Sequence, residues 1–336
     1  YVIRDEKVVK GENYKNGMEQ IKSEGEKVAT NEKIFRYYSS NEENLKQKVA
    51  DLDEKVQSVM TSDTSLFSSD MKLLENQIQN KADAIIVCGT TGEAATMTTE
   101  EKISTIKTAV DISHGRIPII AGTGGNNTSN VIQYSKEVES LGVDGLLIVT
   151  PYYNKCTQNG LIEHYTEIAK NVSLPIIIYN VPGRTSVNIE PKTCLELSKI
   201  ENIVAIKEAS GNLSQVAEIA HLCGENLHIY SGNDDQIIPV LSLGGIGVIS
   251  VLSNIFPEYT HDMVQNFFDG NIEHSTKMQL NAIPLIKALF SEVNPIPVKS
   301  ALNLLGYNYG IPRLPLTQIS KEKEELLKNE LLKFSN

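Results

Sequence analysis

Pro175-Ile-Ile-Ile-Tyr-Asn180 and Ile203-Val-Ala-Ile-Lys-Glu208 are apolar and largely β-branched, and each turns polar only in its last two residues. A strand with one wet face alternates apolar and polar side chains, whereas a strand apolar throughout is covered on both faces, as in a parallel sheet between helices. Five further runs of this kind occur at residues 83–89, 117–122, 143–150, 227–232 and 246–251. Stretches 99–114, 130–141, 160–171 and 214–221 between them carry helical periodicity. Repeated βα units leave two architectures, a doubly wound sheet or a barrel.

The ends of the runs favour the barrel. Gly89-Thr90-Thr91-Gly92, Pro151-Tyr152-Tyr153, Tyr179-Asn180-Val181-Pro182, Lys207-Glu208 and Ser231-Gly232-Asn233 place glycine and polar side chains at the carboxyl ends, where barrel sites assemble. No GxGxxG follows the first run, so a dinucleotide-binding sheet loses its main support. The expectation is an α/β protein, a (β/α)8 barrel over residues 61–270, with a C-terminal helical domain over 271–336 read from helical stretches near 257–268, 272–291, 296–305 and 320–334. Residues 1–60 are densely charged with both signs, contain no proline, and end in a stretch where Leu45, Val49, Leu52, Val56 and Val59 share a helical face. They read as a helical extension of unassigned role.

Composition narrows the function. The 336 residues, 40% apolar, suffice for one large core, and a net charge of −11 offers no footprint for nucleic acid or an anionic membrane. Cys88, Cys156, Cys194 and Cys223 form no CxxC pair, so reduced thiols in a cytoplasmic protein are expected, with neither a metal site nor a disulfide scaffold. No run approaches the ~20 apolar residues of a membrane span, and no signal peptide is visible, although the chain opens at Tyr1 rather than Met.

Lys207 is the first candidate for chemistry. At the end of an apolar strand it either snorkels to water or serves as a desolvated amine, nucleophilic toward a carbonyl. The Gly89–Glu93 turn either caps a helix or aims backbone N–H groups and the hydroxyls of Thr90 and Thr91 at a carboxylate. Tyr179 ends its strand as a buried structural tyrosine or as a phenol that relays a proton. Arg184, on the next loop, is a surface residue or a bidentate carboxylate clamp. Singly, each bland reading competes well; that all four stand at the same ends of successive strands favours a site.

These motifs carry a resemblance. Gly89-Thr-Thr-Gly-Glu93, Thr150-Pro-Tyr-Tyr-Asn154, Tyr179-Asn-Val-Pro-Gly-Arg-Thr185, Ile206-Lys-Glu-Ala-Ser-Gly211, Tyr230-Ser-Gly-Asn-Asp234 and Gly244-Gly-Ile-Gly-Val-Ile-Ser250 resemble the dihydrodipicolinate synthase family of pyruvate-dependent lyases, from about residue 70 to 334. The resemblance implies that Lys207 condenses with pyruvate to an imine and then an enamine, which attacks aspartate semialdehyde, with no cofactor and no metal. It implies a proton relay of Thr91, Tyr179 and Tyr153, the last lent by a neighbouring subunit, and hence a homo-oligomer, at least a dimer, with a tetramer built from two dimers as the expected form. Thr90 would help hold the pyruvate carboxylate, Gly232 and the Ile249 carbonyl would line the imine pocket, and Arg184 would bind the semialdehyde carboxylate. The sister N-acetylneuraminate and sugar-acid lyases share the turn and the lysine but lack the Tyr179–Thr185 arrangement.

Two departures stand out. Members inhibited by lysine use histidines and a glutamate where this chain has Ala94, Thr99, Lys102 and Asn130, although Asn126 and Tyr152 persist; weak or absent lysine feedback is expected. The family's opening strand is missing, and the charged residues 53–60 stand in its place. Residues 1–3 or 34–38 could offer a substitute. The defect also leaves open a non-catalytic assembly protein built on a relic barrel.

Overall fold

The computed structural model describes residues 18–20, 35–37 and 66–334. The apolar runs become β3 (Ile85–Val87), β4 (Ile119–Gly122), β5 (Gly145–Val149), β6 (Ile176–Asn180), β7 (Ile203–Glu208), β8 (His228–Ser231) and β9 (Gly247–Val248). All pair in parallel, each with its successor in sequence. A doubly wound sheet would reverse its strand order at a switch point; this sheet never does, which is barrel connectivity. Among the described residues no strand joins β9 back to β3, so seven of the eight positions of a (β/α)8 barrel are filled.

The chain divides into compact units at Tyr1–Ser68 and Ser69–Asn336. In the first, β1 (Met18–Gln20) pairs antiparallel with β2 (Phe35–Tyr37). Residues 35–37 therefore do form a strand, but it belongs to this two-stranded sheet and does not substitute for the opening barrel strand. These strands also correct the helical reading of residues 1–60 at those positions, where Phe35 and Tyr37 favour extended backbone. The periodic stretch 45–60 lies outside the described residues.

Helices precede or link the strands: α1 (Leu66–Gln79), α2 (Thr99–Ser113), α3 (Thr128–Glu139), α4 (Gln158–Ala169), the short α5 (Pro182–Thr185), α6 (Pro191–Leu197), α7 (Leu213–Cys223) and α8 (Ile237–Ser242). Their starts are written locally. Thr98 accepts from the Glu101 N–H at 3.2 Å while the Glu101 carboxylate accepts from the Thr98 N–H at 2.9 Å, a capping box that opens α2. Asn127, Thr157 and Asn212 cap α3, α4 and α7 in the same sense.

Strand alternation sorts the core into layers. Leu147, Ile177, Tyr179, Val181 and Ala205 pack inside the curl of the sheet, against partly buried Ile86, Ile120, Val149, Tyr230 and Ile249. Ile148, Ile176, Ile178, Ile203 and Ile206 face the opposite way, against the helices. After β9 the chain is helical, through α9 (Pro257–Phe268), α10 (Ile272–Leu289), α11 (Ile296–Leu304) and α12 (Lys321–Phe334), whose core around Ala282, Leu289, Ala301 and Leu327 is shared with Ile237, Ile238 and Leu241 of α8.

Candidate active site

Lys207 is the fifth residue of β7, and its register partners are Tyr179 on β6 and Tyr230 on β8. Its Nζ lies 4.5 Å from the centre of the Tyr179 ring. Part of the side chain still meets solvent, yet the surrounding protein is dense enough to desolvate an ammonium. Burial pushes the amine down from 10.5 to about 8, with Arg184 adding to the shift and the Asp234 carboxylate opposing it. Asp234 is itself buried, and its Oδ2 accepts from the N–H groups of Val251 and Leu252 at 3.0 and 2.9 Å. Burial raises the Asp234 carboxyl above its ordinary value, against those hydrogen bonds and the Lys207 charge.

Tyr179 is buried, and burial raises its phenol; a hydrogen bond with Thr90 and the charge of Arg184 pull the other way. Thr90 and Thr91 sit on a tight turn in which the Glu93 N–H reaches the Thr90 carbonyl at 3.2 Å. Glu93 takes left-handed backbone at φ 54° and fixes the turn from outside, accepting from Lys299 Nζ at 2.5 Å and from the Arg313 N–H at 2.9 Å.

Asn294 joins two further candidates. Its Nδ2 donates to Thr91 Oγ1 at 3.0 Å, while its carbonyl accepts from Arg184 Nη2 at 3.1 Å. Arg184 stands on α5, directly after β6, so the guanidinium and the phenol share one strand end. Gly232 follows β8, and its N–H donates to the Glu208 carbonyl at 2.7 Å; a Cβ there would lie 2.5 Å from the Ala209 Cβ, so the close approach requires glycine. Ile249 packs inside the curl with Tyr179 and Tyr230.

Lys207, Tyr179, Thr90, Thr91 and Arg184 are thus linked directly or through Asn294, with Gly232 and Ile249 on the neighbouring strand ends. Tyr153 stands apart: it is 92% exposed, at φ 73°. Its loop is held by Asn126 Nδ2 donating to the Tyr152 carbonyl at 3.1 Å and Asn154 Nδ2 to the Asn126 carbonyl at 2.9 Å. Sequence reasoning missed Asn294 and gave Asp234 no role. The cue for Asn294 was an amide directly before Pro295, at the start of a helix whose first turn holds Pro297. For Asp234 it was a carboxylate two residues past the Gly232 strand end.

The arrangement offers an amine that loses its proton easily, a phenol against it, two hydroxyls and a guanidinium for carboxylates. The dihydrodipicolinate synthetase family model matches residues 56–333. The 4-hydroxy-tetrahydrodipicolinate synthase of Caldicellulosiruptor saccharolyticus is 57% identical over 263 residues, 78% of this chain and 89% of that protein. That of Clostridium acetobutylicum is 53% identical over 271 residues, 81% and 92% of the two chains. Among solved structures, dihydrodipicolinate synthase from Thermotoga maritima superposes with a TM-score of 0.79 at 41% identity, over 80% of this chain and 92% of that one. The enzyme from Cyanidioschyzon merolae, solved with lysine bound, gives 0.78 at 40% identity, over 80% and 92%.

Proposed function

The chain belongs to the dihydrodipicolinate synthetase family, and on that premise we propose that it is a lyase condensing pyruvate with L-aspartate 4-semialdehyde to 4-hydroxy-tetrahydrodipicolinate, through an imine on Lys207. The observation that carries this reading is the Lys207 amine at the end of β7, 4.5 Å from the centre of the Tyr179 ring, where burial disfavours its charged form. The neutral amine adds to the pyruvate ketone and expels its oxygen as water. Loss of a methyl proton from the resulting imine gives the enamine, whose carbon bonds to the semialdehyde aldehyde. The amino group of the joined product then displaces Lys207 from the imine carbon and closes the ring.

Each neighbour has a task. Tyr179, Thr91 and Tyr153 pass protons, with Tyr153 supplied by a second copy, because on its own subunit it points into solvent. Thr90 holds the pyruvate carboxylate and Arg184 that of the semialdehyde, while Gly232 and Ile249 line the imine. The protonated imine is itself the electron sink, so the reaction needs neither metal nor organic cofactor. The working form is a homo-oligomer, a dimer or a tetramer made of two dimers. Residues 61–270 carry the lysine and its neighbours on the strand ends, 271–336 form the helical domain, and no role is assigned to 1–60. No described helix is long and apolar enough to cross a membrane; a cytoplasmic location is part of the proposal and rests on the family's biosynthetic reaction.

Incubation with pyruvate, reduction with borohydride and peptide mass analysis test the reading. A reduced pyruvate adduct on Lys207 is expected, and its absence from folded protein sinks the proposal. Turnover with aspartate semialdehyde in preference to sugar aldehydes separates the synthase from a sugar-acid lyase.

A further inference from the structure

Tyr179 and Lys207 face the inside of the curled sheet, so the residues after them, Asn180 and Glu208, face the helices. That layer is otherwise lined by Ile178, Ile206, Val216 and Ile219. Both polar residues are buried in it, Asn180 fully and Glu208 with 3% of its surface left. A carboxylate survives there only with its oxygens satisfied. Glu208 Oε2 accepts from Asn180 Nδ2 at 2.8 Å and Gln215 Nε2 at 3.3 Å, and Oε1 accepts from the Ser210 N–H at 2.7 Å. Asn180 is equally saturated: Nδ2 also donates to Asn188 Oδ1 at 2.9 Å, and Oδ1 accepts from the Ile189 N–H at 2.9 Å. Asn188 and Gln215 exchange two more bonds at 2.8 and 3.1 Å.

An apolar pair would fill this space without the desolvation cost, so the polar pair calls for another reason. Its position supplies one. Asn180 and Glu208 are register partners, one residue beyond the register pair Tyr179 and Lys207. We propose that the Asn180–Glu208 bridge, closed by Asn188 and Gln215, is a positioning device that clamps the ends of β6 and β7 and so holds the Tyr179 phenol and the Lys207 amine at their working separation. An apolar contact tolerates small slips between strand ends, whereas saturated, directional hydrogen bonds do not. The inference rests on Lys207 being the imine-forming residue.

Three variants test it. Asn180→Asp sets two carboxylates against each other, and Glu208→Gln puts an NH2 group against a donor whichever way the amide turns, the Ser210 N–H on one side or Asn180 and Gln215 on the other. The double exchange N180D/E208Q restores one carboxylate and one amide with polarity reversed, which Asn188 and Gln215 accommodate by turning their own amides. The parent must first give the Lys207 adduct with pyruvate and borohydride; a parent without it sinks both the proposed function and this inference. Given an active parent, each single exchange is expected to lower imine trapping and kcat by about tenfold or more, with fold content unchanged by circular dichroism. The pH of half-maximal trapping should shift too, which loss of folded protein alone would not do. The double exchange should return to within about threefold of the parent. Single variants with parental rates and pH profile, or a double exchange that regains nothing, overturn the proposal. If the single variants do not fold, Asn188→Ala decides, since it withdraws one acceptor from Asn180: reduced kcat with a shifted pH profile supports the device, and parental values of both overturn it.

Discussion

The Lys207 amine lies 4.5 Å from the centre of the Tyr179 ring, level with it on the adjacent strand. At that distance a ring face attracts a cation, while burial works against the charge. The amine is therefore held between two states whose balance pH can move.

Imine formation should follow that balance. With the amine at about 8 rather than 10.5, about one Lys207 in ten is neutral at pH 7, against about one in three thousand for an unperturbed lysine. Borohydride trapping after short exposure to pyruvate should rise about tenfold per pH unit below 7 and level off above about 8. A midpoint near the ordinary lysine value would contradict the site as described.

The same desolvation predicts a stability effect. The native amine titrates at about 8 and the unfolded one at 10.5, so below pH 8 the folded state carries a buried charge that the unfolded chain exposes to water. Lys207→Met should be more stable than the parent at pH 7 by about 2 kcal/mol, once the solvent still reaching the amine is allowed for. The unfolded state binds more protons between the two values, so the gap should close as pH rises from about 8 toward 10.5. Urea unfolding of both proteins across that range measures it.

Asn294 links Thr91 and Arg184 through different atoms, side chain to one and carbonyl to the other. Asn294→Ala keeps the carbonyl and frees the Thr91 hydroxyl. A fall in kcat of about tenfold is expected, and little further loss when the exchange is made on Thr91→Val. Fully additive losses would show that Asn294 acts elsewhere.

Lys299 and Glu93 form a largely buried ion pair, with 15% and 14% of their side chains exposed, behind the turn that carries Thr90 and Thr91. Lys299→Ala strands the carboxylate and should cost about 3 kcal/mol, whereas E93Q/K299M, which removes both charges, should recover much of that loss. Denaturant midpoints of the single and double variants distinguish this from a negligible surface pair.

Lysine feedback should be weak or absent. The Lys102 ammonium stands 5.4 Å over the Tyr134 ring, and a lysine cation approaching it would meet like charge with no carboxylate at Asn130. Activity in a coupled assay should persist in millimolar L-lysine; half-inhibition below about 1 mM would contradict the electrostatic argument.

Burial on both faces writes itself into a strand as an unbroken apolar run, which is why β7 was legible to the residue and the other barrel strands to within three residues at each end. The polar ends then placed Lys207 and Tyr179 at the same end of successive strands, while their shared face came from the register between β6 and β7. Met18–Gln20 and Phe35–Tyr37 lie among charged residues with no apolar run to mark them, and that stretch read as helix.

By itself, then, the sequence determined the parallel strands, their order of appearance and the polar strand ends where Lys207, Tyr179, Thr90, Thr91 and Arg184 stand. Those features are local, because an unbroken apolar run and a helix cap are each set by near neighbours in the chain. Only the tertiary structure decided that Asn294 bridges Thr91 and Arg184 across 203 and 110 residues of chain, that Asn180 meets Glu208, and that Tyr153 stands away from its own site. It also decided the state of the Lys207 amine. Desolvation sums over every atom that displaces water around a group, and those atoms come from strands and loops that become neighbours only when the sheet has curled.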